Sequence, residues 1–241
     1  MKADTPPLLA VEGLAVSYDR LPVLHDIRLQ VYERQIAALV GPEGAGKTTL
    51  LNVISGLIRP EQGRIRFAGE ALENLPAWDI VRRGVIYVPE GSPVFPEMSV
   101  LENLEVGAYV HRAHLEARLE LVFEVFPELR ELRRTPAGVL SGGQQRLVAL
   151  GRGLMAGPRL LLLDEPFLGL SPKLVRRFCD TFKTLLAQGL TLLIASQYAH
   201  RILQVADLAY LMEEGRITLS GAGPDILKDQ HLHQVLFGPG L

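Results

Sequence analysis

The sequence predicts an α/β fold: a largely parallel sheet covered by helices, an N-terminal antiparallel β layer, and an inserted α-helical subdomain. Three observations predict it. Short continuous apolar runs at 36–40, 85–88, 160–163 and 190–195 read as strands covered on both faces. Alternation of apolar and polar residues over 8–18, 27–31 and 63–67 reads as strands with one covered face. Between Ser99 and Ala156 the apolar spacing becomes helical. At 241 residues, 48% hydrophobic and 22% charged, the chain can bury one large or two small cores, and disorder is not expected.

The chain's first ten residues carry Asp4, Pro6 and Pro7 before a short apolar run, which fits neither a signal peptide nor a transit peptide. No apolar stretch approaches the length of a membrane span. The formal charge of −2, with acidic and basic residues mixed, offers no footprint for nucleic acid, and no nucleic-acid partner is expected. Cys179 is the sole cysteine, so neither an internal disulfide nor a cysteine metal cluster can form; it reads as a small apolar helix residue. A cytoplasmic setting follows as the expectation.

The apolar strand at 36–40 runs into Gly41, Pro42, Glu43, Gly44, Ala45, Gly46, Lys47 and Thr48. Leu50, Leu51, Val53, Ile54 and Leu57 then recur at helical spacing. Strand, glycine-rich loop and helix in this order make a P-loop, which binds a nucleoside triphosphate. Glycines let the backbone curl until several N–H groups face inward, and the helix dipole adds partial positive charge. Lys47 is expected to reach the β- and γ-phosphates and Thr48 to supply a hydroxyl to Mg²⁺. Thr49 can bond a phosphate oxygen or cap the first turn.

Further along, Ser99 with Glu102 forms a capping box, and 115–126 and 143–155 carry helical stripes. Leu140, Ser141, Gly142, Gly143, Gln144, Gln145 and Arg146 open the second of these stripes, placing a hydroxyl and backbone N–H groups at another helix N-terminus. In isolation such a segment is a serine N-cap followed by glycines. Beside a P-loop it is a spare anion site, suited to the nucleotide of a second subunit. The run at 160–163 ends in Asp164, Glu165 and Pro166. Asp164 is expected to hold Mg²⁺ through water, and Glu165 to polarise the water that attacks the γ-phosphate. Ser171 and Pro172 open a helix at Ncap and N1 that ends near Gly189, and 209–212 and 216–219 return to strand. No internal repeat or low-complexity tract is present in the sequence.

The ordered set GPEGAGKTT, PEGSPVF, LSGGQQ, LLLLDEP and LGLSP resembles the ATP-binding subunits of ABC transporters across essentially the whole chain. That resemblance implies one ABC ATPase domain over 1–241, with 1–90 and 158–241 as catalytic core and 91–157 as helical subdomain. It implies a head-to-tail dimer around two ATP molecules, each held by one P-loop and by the Ser141–Gln144 segment of the other subunit. Tyr18 then corresponds to the aromatic residue that stacks on adenine. The partners implied are integral membrane permease subunits, contacted near 90–95 with Val94 and Phe95 as candidates, and, indirectly, an extracytoplasmic solute-binding protein. The chain itself would sit peripherally on the inner face of the cell membrane.

Departures from the commonest pattern refine this expectation. Glu90 stands where many members carry glutamine, and Gln197 where most carry a switch histidine. Both resemble the ATP-binding subunits of branched-chain amino acid uptake systems. Urea or amide uptake and lipopolysaccharide export are the alternative cargoes, and a regulatory ATP-binding protein is the alternative without transport. Glu90 can still ligate Mg²⁺ but adds negative charge. Gln197 can donate a hydrogen bond but no charge, so modest intrinsic ATPase activity is expected. Gln197 is preferred over His200 as the switch position, because it lies at the strand end. Pro172 replaces a frequent aspartate, which alters an inter-subunit contact. Gly151 and Gly153 suggest a locally soft helix at about 1 kcal/mol each relative to alanine.

Overall fold

The structure, a computed structural model, describes residues 5–91 and 94–238. Met1 to Asp4 of the N-terminal segment, and Ser92 and Pro93 of the 90–95 stretch, lie outside the described residues. The N-terminal alternation folds as β1 (Leu9–Tyr18) and β2 (Leu21–Val31), an antiparallel hairpin with register shifts at Val11/Leu14, Leu14/Val16 and Val16/Ser17. Next come β3 (Ile36–Val40) and α1 (Lys47–Ile54), then β4 (Gln62–Phe67) and the two-residue β5 (Glu70–Ala71). After α2 (Ala77–Arg82) and β6 (Val85–Val88), the chain enters the helices α3 (Val100–Gly107), α4 (Leu115–Val125), α5 (Pro127–Glu131) and α6 (Gly142–Met155). It returns through β7 (Leu160–Asp164), α7 (Pro172–Ala187), β8 (Thr191–Ser196) and α8 (Ala199–Leu203). The hairpin β9 (Leu208–Glu213) and β10 (Arg216–Gly221) follows, then α9 (Gly223–Ile226) and α10 (Gln230–Phe237).

Two sheets result. One is antiparallel, in the order β2-β1-β4-β5; the other runs β10-β9-β3-β8-β7-β6, parallel throughout except for β10. The continuous apolar runs are explained by what lies on each side of the second sheet. In β7, Leu160 and Leu162 join the core shared with the antiparallel layer, while Leu161 and Leu163 join the core shared with α3, α4, α6 and α7. The same division splits β3 and β8. Helix α1 lies in the first core, with Leu50, Leu51 and Ile54 at 0% exposure. Each contributes about 1.5–3 kcal/mol on burial, enough to hold the loop preceding α1 as a rigid edge. Tyr210 ties the two sheets together, its hydroxyl bonding the N–H (2.9 Å) and carbonyl (2.7 Å) of Gln30.

Both capping expectations at the helix starts hold. Ser99 and Glu102 form a reciprocal box at α3, and Ser171 caps α7 with Pro172 at its first turn. The glycines of α6 have a packing role that the sequence does not show. Gly151 and Gly153 lie on its buried face, where an added Cβ would come within 2.8 Å of Leu104 Cδ2 and 2.7 Å of Val88 Cγ2 respectively. The glycines therefore permit close packing of α6 against its neighbours. The pair Val94 and Phe95 also divides. Val94 packs against the helical core, whereas Phe95 is 47% exposed with the Arg152 guanidinium 5.2 Å from its ring centroid.

Candidate functional site

The end of β3, the start of α1 and the ends of β7 and β8 converge on one pocket of about 300 Å³. Its walls include Glu43, Gly44, Gly46, Lys47, Thr48 and Thr49 from the loop, with Glu90, Glu165 and Gln197 from three strand ends. Parallel strands bring their C-terminal ends to one edge, so residues more than a hundred positions apart meet there. Two glycines are sterically required. Gly46 caps α1 in the left-handed region at φ 99°, and a Cβ on Gly41 would lie 2.1 Å from the Met212 carbonyl oxygen. As at any helix start, the N–H groups of Lys47, Thr48 and Thr49 find no acceptor within the helix, so the loop presents a set of donors with the positive end of the dipole.

Lys47 is buried, and its Nζ donates to the carbonyls of Gly41 and Pro42, both at 2.9 Å. The same nitrogen lies 3.6 Å from Glu165 Oε1. The Glu165 carboxylate accepts the Gln197 N–H at 2.8 and 3.1 Å and is approached by the Ser196 hydroxyl at 3.4 Å. Burial pushes its pKa above the ordinary carboxylate value, opposed by the Lys47 charge and by the Gln197 N–H. Its backbone is at φ 43°, in the left-handed region. For a non-glycine residue this costs on the order of 1–3 kcal/mol and persists only where the surroundings impose it. The strain turns the carboxylate off the strand direction and toward the loop.

Asp164 is buried at the end of β7. Its Oδ2 accepts a 3.0 Å hydrogen bond from the Tyr87 hydroxyl, while Oδ1 is buried with no partner. Burial, and then the Asp164 charge, push the Tyr87 phenol far above its ordinary pKa, so it remains a donor. Thr48, Glu90 and Asp164 line one cleft beside the main pocket. Among the described residues no three histidine, cysteine or acidic side chains converge closely enough to hold a metal ion by themselves. The donor set nevertheless fits Mg²⁺, which takes one or two carboxylates and fills its octahedron with water and phosphate oxygens. Asp164, whose Oδ1 has no partner, lines this cleft with Thr48 and Glu90 and can supply an acceptor to such an ion.

Not every expected residue meets at this pocket. Tyr18 lies exposed at the end of β1, paired with Leu21 across the hairpin that also brings Val23 to the pocket wall. Ser141, Gly142, Gly143 and Gln144 stand at the N-terminus of α6 and do not line the pocket. There the Ser141 hydroxyl and Gln144 form a reciprocal capping box, and Ser141 and Gly142 are exposed. Pro42 and Ala45 shape the loop from behind, with the Ala45 N–H bonded to the Pro42 carbonyl and the Ala45 carbonyl accepting from Gly215. His200 is exposed on α8, away from the strand end that Gln197 occupies. Val23 and Tyr87 carry no local signal in the sequence; Leu168 and Arg146 fall within the LGLSP and 140–146 segments, which assign them no place at the site.

The chain matches the family model described as "ABC transporter" over residues 24–168. It is 36% identical to the high-affinity branched-chain amino acid transport ATP-binding protein BraG of Pseudomonas aeruginosa, with 96% of this chain and 100% of the relative covered. It is 33% identical both to the probable branched-chain amino acid transport ATP-binding protein LivF of Archaeoglobus fulgidus and to the lipopolysaccharide export system ATP-binding protein LptB of Haemophilus influenzae. Coverage is 96% of this chain and 99% of the former, and 96% and 97% for the latter. Among solved structures, the ADP conformation of an ATP-binding cassette of an ABC transporter superposes with a TM-score of 0.86 at 28% identity, covering 97% of this chain and 100% of that one.

Proposed function

The chain belongs to the ABC transporter family as one of its ATP-binding, ATP-hydrolysing subunits, and from that premise we propose how its residues carry out hydrolysis and what the subunit drives. The observation that carries the reading is the Glu165 carboxylate, oriented by the Gln197 N–H at 2.8 Å and set 3.6 Å from Lys47 beside a helix N-terminus. The loop 41–49 binds the triphosphate through backbone N–H groups, with Lys47 supplying charge to the β- and γ-phosphates. Glu165 orients the attacking water and accepts its proton, Gln197 hydrogen-bonds the γ-phosphate, and Tyr18 stacks on adenine. Thr48, Glu90 and Asp164 hold Mg²⁺, which neutralises charge on the phosphates when bound.

The placement of Ser141–Gln144 away from the chain's own pocket supports a head-to-tail dimer, in which this segment serves the nucleotide of a second subunit, a sister chain or a second copy. The division into a core of 1–90 and 158–241 and a helical part of 91–157 follows the helices α3 to α6 set between β6 and β7. No helix among the described residues is long and apolar enough to cross a membrane. The subunit therefore acts on separate permease subunits at the inner face of the membrane, with exposed Phe95 in the contact, and a solute-binding protein supplies the cargo from outside. Branched-chain amino acids are the cargo best supported, by Glu90 and Gln197 and by BraG and LivF. The likeness to LptB keeps lipopolysaccharide export as the second reading.

The test is MgATP hydrolysis by the purified chain beside Lys47→Ala and Glu165→Gln, with sizing in ATP. Slow turnover in the wild type, its loss in both variants, and ATP-dependent dimers of Glu165→Gln are expected. Unchanged phosphate release by Glu165→Gln would sink the assignment and favour the regulatory alternative. For cargo, leucine uptake by cells expressing the subunit with its permease should stop in Glu165→Gln; uptake that persists would redirect the search to lipopolysaccharide.

A further inference from the structure

Arg146 has no role in the chemistry above, yet it reaches the site from an unexpected direction. It lies in the second turn of α6, five positions after Ser141, and its Nη1 donates to the carbonyls of Glu165 and Pro166, both at 3.1 Å. These two carbonyls immediately follow the point where the backbone passes through the left-handed conformation of Glu165. The guanidinium is half-buried, with Glu90, Glu165 and Tyr198 as the ionisable groups around it. Its planar nitrogen, with two hydrogens fixed in one fork, suits a pair of adjacent carbonyls that a rotating ammonium would hold less rigidly.

We propose that Arg146 is a positioning residue for Glu165, clamping the peptide on which the carboxylate turns toward Lys47 and the Gln197 N–H. The clamp belongs to the helix whose other end carries Ser141–Gln144. Any shift of α6 on engaging the second subunit's nucleotide is therefore delivered to the backbone of this chain's own Glu165. This inference rests on the reading of Glu165 as the group that activates water. It adds that the group is kept in place from α6, so that alignment depends on where that helix stands.

The experiment compares wild type, Arg146→Met, Arg146→Lys and Glu165→Gln in the full chain, reading kcat, KM for MgATP, the Kd of a fluorescent ATP analogue, and thermal unfolding. Arg146→Met should lose about 10- to 100-fold in kcat, the scale of a small misplacement of a reacting group, with KM and Kd within about twofold and the unfolding temperature near wild type. Arg146→Lys, which keeps a donor and the charge, should recover most of the loss. Wild-type kcat in Arg146→Met while Glu165→Gln is inactive would overturn the clamp alone. Full activity in Glu165→Gln would overturn the clamp together with the reading beneath it. A parallel rise in KM and Kd would show a general packing role and also overturn it. Should Arg146→Met fail to fold, Arg146→Gln, whose shorter amide cannot span both carbonyls, decides: a lower kcat at constant KM supports the clamp, and wild-type values overturn it.

Discussion

Asn103 offers a sharp test of how the Phe95 segment is held. Its side chain is at 0% exposure on α3. Oδ1 accepts the Phe95 N–H at 2.8 Å, and Nδ2 faces the carbonyls of Phe95, Met98 and Ser99 at 3.0, 3.3 and 3.0 Å. Asn103→Asp keeps the shape and the single acceptor but replaces the donor with a second oxygen aimed at three carbonyls. Each hydrogen bond lost is worth about 1 kcal/mol, and an uncompensated buried charge costs about 3–5 kcal/mol. In a chain of this size 1 kcal/mol moves Tm by about 2–4 °C, so a fall of about 6–20 °C is expected at pH 8. Burial without a cation raises the folded-state pKa of the new carboxyl. Stability is therefore lost as pH rises through that value and regained as pH falls, because a protonated acid can donate one bond. Differential scanning fluorimetry at pH 5 and 8 should show a smaller deficit at pH 5. A deficit under about 2 °C at pH 8, or one that does not shrink at pH 5, would refute the reasoning. Hydrolysis by folded protein should stay within about twofold of wild type, since Asn103 does not line the nucleotide pocket.

Because burial raises the Glu165 pKa, the charged form needed as a base is lost as pH falls at a point above the ordinary carboxylate range; a kcat profile with its acid limb at or below about pH 4 would contradict this. Tyr87→Phe removes the donor to Asp164 Oδ2 and should weaken apparent Mg²⁺ affinity by about 10-fold or more, read from a Mg²⁺ titration at saturating ATP. Gly107→Ala places a Cβ 2.2 Å from the Arg152 carbonyl oxygen, a backbone atom that cannot rotate away, and should destabilise by about 3 kcal/mol in urea unfolding. Gly151→Ala meets side-chain methyls instead, and helix propensity returns about 1 kcal/mol, so its cost should be smaller.

The main segments of the candidate site were legible because each is contiguous and its chemistry is local. The loop at 41–49, the acidic pair at the end of β7 and the cap of α6 stand at strand ends or helix starts, as their sequences predict. The first half of β2 was not legible, since the bulged pairing with β1 breaks the period-two alternation that marks a strand. Short helices such as α2 and α8, each less than two turns long, carry too few residues to show a period. The contacts that orient the site were invisible for another reason. Tyr87 meets Asp164 across 77 positions and Gln197 meets Glu165 across 32, pairings that exist only once the parallel strands are in register. The packing role of the α6 glycines was not legible, because propensity describes an isolated helix and not what surrounds this one.

Those glycines have a mechanical meaning. At Gly107 the α3 backbone meets the Arg152 carbonyl of α6 directly, and at Gly151 and Gly153 the α6 backbone meets methyl groups of Leu104, Val122 and Val88 with no Cβ between them, so α6 sits close against α3, α4 and β6. Gly153 bears on Val88, two residues before Glu90, and Gly107 brings the end of α3 onto the α6 backbone. Through these contacts the helix capped by Ser141 is joined, with no side chain of its own between, to β6 on one side and to α3 on the other.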